Sequence, residues 1–190
     1  PERTGVTVTQ ALILIDIQND YFPGGSMELV GMERAADNAR RLLDRFRRDR
    51  GILFHIRHLS VRPGSSFFVP GTEGAEINGK VAPDAGEAVI EKNYPNSFRE
   101  TALLESLRAQ DVDGLLICGA MSHMCVDATV RAAFDLGFTC MVAEDACATL
   151  NLTFKDKTIH ASDVHAAFMA ALSGSYAEVC STQTILENKV

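Results

Sequence analysis

The stretch Leu115-Leu116-Ile117-Cys118-Gly119-Ala120-Met121-Ser122-His123-Met124-Cys125-Val126-Asp127-Ala128-Thr129-Val130-Arg131-Ala132-Ala133-Phe134 decides how the rest of the chain is read. It opens with a short apolar run of strand type, breaks at Gly119-Ala120-Met121-Ser122, and continues with helical periodicity from about Met124. A strand that turns tightly into a helix places Cys125 at the helix N-terminus. Unpaired backbone N–H groups and the positive end of the helix dipole favour an anion there. Both effects are expected to lower the pKa of the thiol and raise its share of thiolate, the form that attacks carbon. The competing assignment is a small buried cysteine of the core.

Strand and helix patterns alternate on either side of this stretch. Gln10 to Ile17 is an apolar run broken by Asp16, as expected of a buried parallel strand. A Pro-Gly-Gly loop follows, then an amphipathic helix from about Glu33 to Arg48 that stops near Gly51. Ile52 to Arg57 reads as the second strand and Ala88 to Lys92 as the third. Between them, residues 58–86 form a long irregular excursion punctuated by Pro63-Gly64, Pro70-Gly71 and Pro83, and such loops carry function. Arg99 to Gln110 reads as a helix and Gly114 to Cys118 as the fourth strand. Phe138 to Val142 reads as the fifth strand, with a second excursion starting at Glu144. His160 to Leu172 is a helix pattern and Ala177 to Ser181 a sixth short strand. This alternation predicts one α/β domain over residues 1–190, a three-layer Rossmann-like fold whose six-stranded, mostly parallel sheet is flanked by helices.

Composition narrows the function. The chain has 190 residues, 46% of them hydrophobic, and a formal net charge of −7 with no long basic block, which argues against nucleic acid as a partner. No apolar run approaches membrane-spanning length, and Pro1-Glu2-Arg3-Thr4-Gly5 does not read as a signal peptide. The five cysteines are odd in number and contain no CxxC, a pattern expected of reduced thiols in a cytoplasmic protein. Cys118, Cys140 and Cys180 fall in strands and read as core; Cys147 falls in the expected loop.

In open parallel sheets the ligand site lies beyond the carboxyl ends of the strands. Asp16 ends the first strand, Arg57 and His58 the second, and Lys92 the third, while Cys125 follows the fourth. An acid, a base and a thiol therefore converge on one edge. A nucleophilic cysteine needs a base and a charge to hold it, and Asp16 with Lys92 supplies both.

These segments resemble the isochorismatase-like cysteine hydrolases, a family that includes nicotinamidases, N-carbamoylsarcosine amidohydrolases and ureidoacrylate hydrolases. The likeness rests on Leu14-Ile15-Asp16-Ile17-Gln18-Asn19-Asp20-Tyr21-Phe22, on Lys92 with Asn96-Ser97-Phe98 and Thr101, on Cys118-Gly119 through Cys125-Val126, and on Asp145-Ala146-Cys147. The resemblance implies an Asp16–Lys92–Cys125 triad. It also implies a non-proline cis peptide at Ala120–Met121 and an oxyanion hole made by the Met121 and Cys125 amides. Homo-oligomers, dimers or tetramers, are common in the family. Nicotinamidases hold a divalent metal with an Asp-x-His cluster and a further histidine after the second strand. His55 and His58 do not reproduce that cluster, so neither metal nor cofactor is expected.

A cysteine in place favours C–N hydrolysis of a small amide or N-carbamoyl substrate over the vinyl ether hydrolysis of true isochorismatases. The alternative from another class is a non-catalytic small-molecule binding module on the same fold. Tyr21, Phe22, Phe67, Phe68, Tyr94 and His123 are expected to wall the pocket, with Arg57, His58 and Arg62 as cationic donors to the substrate. Gln18 and Asn19 are expected to anchor the first loop.

Overall fold

The computed structural model describes residues 8–188. Its centre is strand β1 (Gln10–Ile15), whose side chains are buried on both faces. Leu12 and Leu14 face the stripe Met32, Ala35, Ala36, Ala39, Leu42 and Leu43 of helix α1 (Met32–Arg48). Ala11, Ile13 and Ile15 face the opposite layer, made by α2 (Leu103–Arg108), α3 (Asp127–Asp135) and α4 (Ala161–Ser173). Each fully buried Leu or Ile stabilises the fold by roughly 2 kcal/mol, which is why a strand covered on both sides reads as an unbroken apolar run.

Strands β2 (Ile52–His58), β3 (Ala88–Lys92), β4 (Gly114–Ala120), β5 (Thr139–Ala148) and β8 (Glu178–Cys180) complete a parallel sheet of six strands in the order β3-β2-β1-β4-β5-β8. From β1 the chain builds outward through β2 to β3, then returns to the other side of β1 as β4. The strand order reverses between β1 and β4, and a crevice opens at their carboxyl ends. A small hairpin, β6 (Leu152–Phe154) with β7 (Lys157–Ile159), and a final short helix α5 (Thr182–Glu187) lie outside the sheet.

Several boundaries differ from the sequence reading. Helix α2 begins at Leu103 rather than Arg99, because Glu100 takes a left-handed φ of 56° and Thr101 Oγ1 bonds back to the Ser97 carbonyl. Strand β5 runs to Ala148, not Val142. Between Ile117 and Gly119 the register shifts: two steps along β4 oppose five along β5, from Val142 to Cys147, so β5 carries the extra residues and Gly119 and Ala120 still pair with Cys147 and Ala148. Cys147 is therefore a strand residue, and the second excursion starts only beyond Ala148. The hairpin and α5 have no counterpart in the sequence reading. Among the described residues, no helix is long and apolar enough to cross a membrane.

The excursion between β2 and β3 is tied down by the loop after β1. Gln18 Nε2 donates to the carbonyls of His58 and Ala75, and its Oε1 accepts from the His58 amide. Asn19 donates to the Glu73 carbonyl and accepts from Asn78.

Candidate active site

Asp16 leaves β1 in the left-handed region with φ 52°, a conformation tolerated by short polar residues and common where backbone strain is retained at a site. Its side chain is fully buried. Across the crevice Gly119 approaches β1 so closely, at φ 124°, that a Cβ would stand 2.0 Å from the Ile15 carbonyl oxygen. That contact brings the end of β4 against the end of β1. The Ala120–Met121 peptide is cis, and one π-helical turn, Ser122–Val126, carries Cys125 into the crevice before α3 begins. The Met121 carbonyl accepts from the Met124 and Val126 amides at 3.0 and 3.2 Å, so it is engaged by the helical turn.

Lys92, at the end of β3, reaches this point although β3 is the edge strand. Its ammonium donates to Asp16 Oδ2 at 2.8 Å, His58 Nδ1 at 2.9 Å and the Tyr94 carbonyl at 3.1 Å. Three acceptors match its three N–H donors. Asp16 Oδ1 is buried and has no hydrogen-bond partner among the described residues. Asp16, His58 and Cys125 each bring a ligand-type atom within 4.8 Å of the others. Asp16, Lys92 and Cys125 thus meet at the carboxyl edge, with His58 as a fourth member.

The electrostatics differ from the sequence expectation for the thiol. Burial pushes the Cys125 pKa up, the negative charge of Asp16 adds to that, and Lys92 opposes without prevailing. The resting group is a protonated thiol, not the helix-stabilised thiolate expected from its place at a helix start. Burial removes more solvation from the thiolate than the helix end and the lysine return. For Lys92 burial alone would lower the pKa, but Asp16 and Cys125 raise it above the ordinary lysine value. His58 is pushed down from 6.5 to about 4, first by burial and then by Lys92.

Asp16, His58 and Cys125 form a group able to offer three atoms to a metal ion. The Lys92 ammonium already stands at hydrogen-bond distance from two of them. A divalent cation bound there would face a fixed positive charge at contact distance, and that repulsion weighs against a metal site.

The expected wall residues divide into groups. Tyr21, Phe67 and Phe68 form one aromatic cluster with centroid separations of 4.6, 5.0 and 6.2 Å, and His58 lies 5.8 Å from Phe68. Phe22 is buried in the same core layer. The Tyr94 ring lies under the Arg99 guanidinium at 3.6 Å, and its carbonyl accepts from Lys92. His123 Nδ1 bonds Thr149 Oγ1 at 2.6 Å.

Arg57 stands away from the triad rather than beside it as expected. Alternation along β2 points it opposite to His58, where it pairs with Glu76 at 2.8 Å and with Glu91 in a surface pocket that excludes Asp16, Lys92 and Cys125. His58 is not a cation, since its depressed pKa keeps it neutral through the physiological range. His55 is buried and bonds Glu87 at 2.9 Å, away from the site.

Asp20 is the residue that sequence reading missed. It is buried, its Oδ2 accepts from the Phe68 amide at 2.6 Å, and its Oδ1 accepts from the Ser26 amide at 3.2 Å. Phe68, at φ 54°, is thereby fixed in a left-handed conformation with its ring in the cluster. Gly74 packs so near this carboxylate that a Cβ would stand 2.1 Å from Oδ1. An acid just ahead of the Pro23-Gly24-Gly25 turn was the available signal.

Comparison with known proteins places these features in a family. The Isochorismatase domain model matches residues 10–184. An uncharacterised isochorismatase family protein of Bacillus subtilis, YddQ, is 50% identical over 180 residues, spanning 95% of this chain and 100% of that protein. A streptothricin hydrolase of Streptomyces noursei is 33% identical, covering 89% of this chain and 58% of its own. A maleamate amidohydrolase of Pseudomonas putida is 27% identical, covering 98% and 89%. A crystal structure described as an isochorismatase hydrolase from Oleispira antarctica superposes with a TM-score of 0.92 at 46% identity, covering 98% of this chain and 100% of that one.

Proposed function

The chain belongs to the isochorismatase family of hydrolases, and on that premise we propose that it cleaves the C–N bond of a small amide or N-carbamoyl compound through a thioester on Cys125. The observation that carries this reading is the unpartnered Asp16 Oδ1 beside a protonated thiol, with Oδ2 held by Lys92. A base is available where a proton must be removed.

In this mechanism Cys125 Sγ attacks the carbonyl carbon as its proton passes to Asp16 Oδ1, and the carbonyl electron pair moves onto oxygen. The Met121 and Cys125 amides receive that oxyanion; in other enzymes the loss of one such donor costs about 3 kcal/mol. Collapse of the tetrahedral intermediate expels the amine, which takes the proton from Asp16. Water then attacks the thioester, gives its proton to Asp16, and the thiol is released with the carboxylic acid. Because the thiolate is formed only as substrate is attacked, its unfavourable resting pKa does not oppose turnover. Lys92 holds Asp16 in place and stabilises negative charge on either partner.

The maleamate amidohydrolase relative supports the C–N assignment. Cys125→Ala is expected to abolish ammonia release across a panel of small amides while the fold is retained. Mass spectrometry of the wild type with a slow substrate should place an acyl adduct on the peptide carrying Cys125. Near-normal ammonia release by the alanine variant would remove the covalent mechanism. No turnover by the wild type on any panel member would favour a binding module.

A further inference from the structure

Lysine carries N–H donors and no acceptor. The 2.9 Å contact between Lys92 Nζ and His58 Nδ1 therefore has one polarity: the lysine donates, and Nδ1 holds a bare lone pair. A neutral imidazole with its lone pair at Nδ1 has its proton on Nε2. The assignment does not depend on the pH of the medium while Lys92 stays charged, and the depressed pKa of His58 agrees with it. Nε2 makes no hydrogen bond among the described residues, and it is not among the buried atoms left unpaired, so it is accessible to solvent on a ring that stands beside Asp16 and Cys125.

The ring is also held against reorientation. Gln18 clamps the His58 backbone from both sides, through its amide at 2.7 Å and its carbonyl at 2.9 Å. Phe68 lies against the imidazole, and Phe68 is itself pinned by Asp20. A flip of the ring, which would exchange Nδ1 with Cδ2 and Nε2 with Cε1, would lose the lysine contact. The site thus presents one fixed, uncharged N–H donor next to the thiol and the aromatic cluster.

We propose that His58 selects the substrate, its Nε2–H donating to a carbonyl or carboxylate oxygen carried by the substrate beyond the scissile amide. The proposal rests on the hydrolase reading above for the identity of the scissile group. A substrate with an acceptor oxygen at that point pairs this donor and covers it from water. One with a methyl group leaves the donor unpaired, and one with an ammonium group meets both the N–H and the Lys92 charge. The substrate class is therefore the half-amide of a short diacid, or a carbamoyl compound with a second carbonyl, rather than a simple aliphatic or amino-substituted amide.

The test uses succinamate and butanamide, which differ in whether an acceptor or a methyl ends the chain. A hydrogen bond involving an ionised group, at roughly 1.5–3 kcal/mol, corresponds to about 10- to 150-fold. His58→Leu should lower the ratio of kcat/KM for succinamate over butanamide by a factor in that range, beyond whatever loss both substrates share through the Lys92 contact, whereas His58→Gln, which can still accept and donate, should retain most of the preference. Nitrogen NMR of histidine-labelled Cys125→Ala protein gives a readout without turnover. His58 should appear with Nε2 protonated and Nδ1 bare, and succinamate, but not butanamide, should shift its Nε2–H resonance. A proton on Nδ1, an imidazolium at neutral pH, or a resonance unmoved by succinamate up to its solubility limit would overturn the proposal. Wild-type protein that binds succinamate with this NMR signature but releases no ammonia would instead overturn the hydrolase reading and leave the His58 assignment standing.

Discussion

His58 titrates differently in the folded and unfolded chain, and that difference has a sign. Its pKa falls from 6.5 to about 4 on folding, so between those values the unfolded chain binds more protons. Stability is complete above 6.5 and declines as pH falls toward 4, by about 3 kcal/mol for this residue at full effect. Burial lowers the pKa of His55 as well, which adds a loss of the same sign. Urea unfolding across this window should show the wild type losing stability more steeply than His58→Gln; parallel slopes would mean His58 is not buried as described. At this scale the sequence was informative where chemistry is carried by residue type: Asp16, Lys92 and Cys125 were each legible. It misled where solvation decides. Nothing in the neighbours of Cys125 along the chain announces that burial outweighs a helix end and a lysine, nor that Arg57 turns to the acids of its own face.

The junction of β1 and β4 is set by Gly119. A side chain there meets two obstacles, the φ of 124° and a backbone oxygen 2.0 Å away that belongs to a central strand and cannot yield. Gly119→Ala is expected to destabilise by about 3 kcal/mol or more. Gly64, at φ 78° with nothing within 4 Å of an added methyl, offers the comparison: Gly64→Ala carries only the left-handed penalty of about 1–2 kcal/mol. Chemical denaturation of the two variants checks the contrast, and equal losses would sink the close-approach explanation. Elements with a strong apolar period, β1 and α1 above all, were readable within a residue or two. Helix α2 was read too long because its first turn is broken by the backbone of Glu100, and β5 too short because its own irregularity after Val142 hides the pairing with β4 that resumes at Cys147. The β6–β7 hairpin and α5 are short and bury little, so their sequence pattern is weak.

Across the whole molecule the sheet has two edges of unequal character. Strand β8 pairs along three residues and sends no charged side chain into the interior, whereas β3 delivers the Lys92 ammonium to the centre. Edge strands ordinarily fray first, at little cost. If β3 peels away, Asp16 is left as an ionised group sealed in the core with its counter-charge withdrawn, a loss of about 3–5 kcal/mol. The outermost strand is thereby fastened to the innermost one, and the two should open as a single cooperative unit. Native-state hydrogen exchange would reveal this as amide protection in β3 approaching that of β1 and well above that of β8. In Asp16→Asn the fastening is gone, and the β3 amides should exchange about a hundredfold faster or more, with β8 little changed. Equal exchange at both edges of the wild-type sheet would mean that the lysine does not bind the margin to the core. Where it does, the Lys92–Asp16 pair keeps the margin of the sheet from unravelling while the two charges stay together.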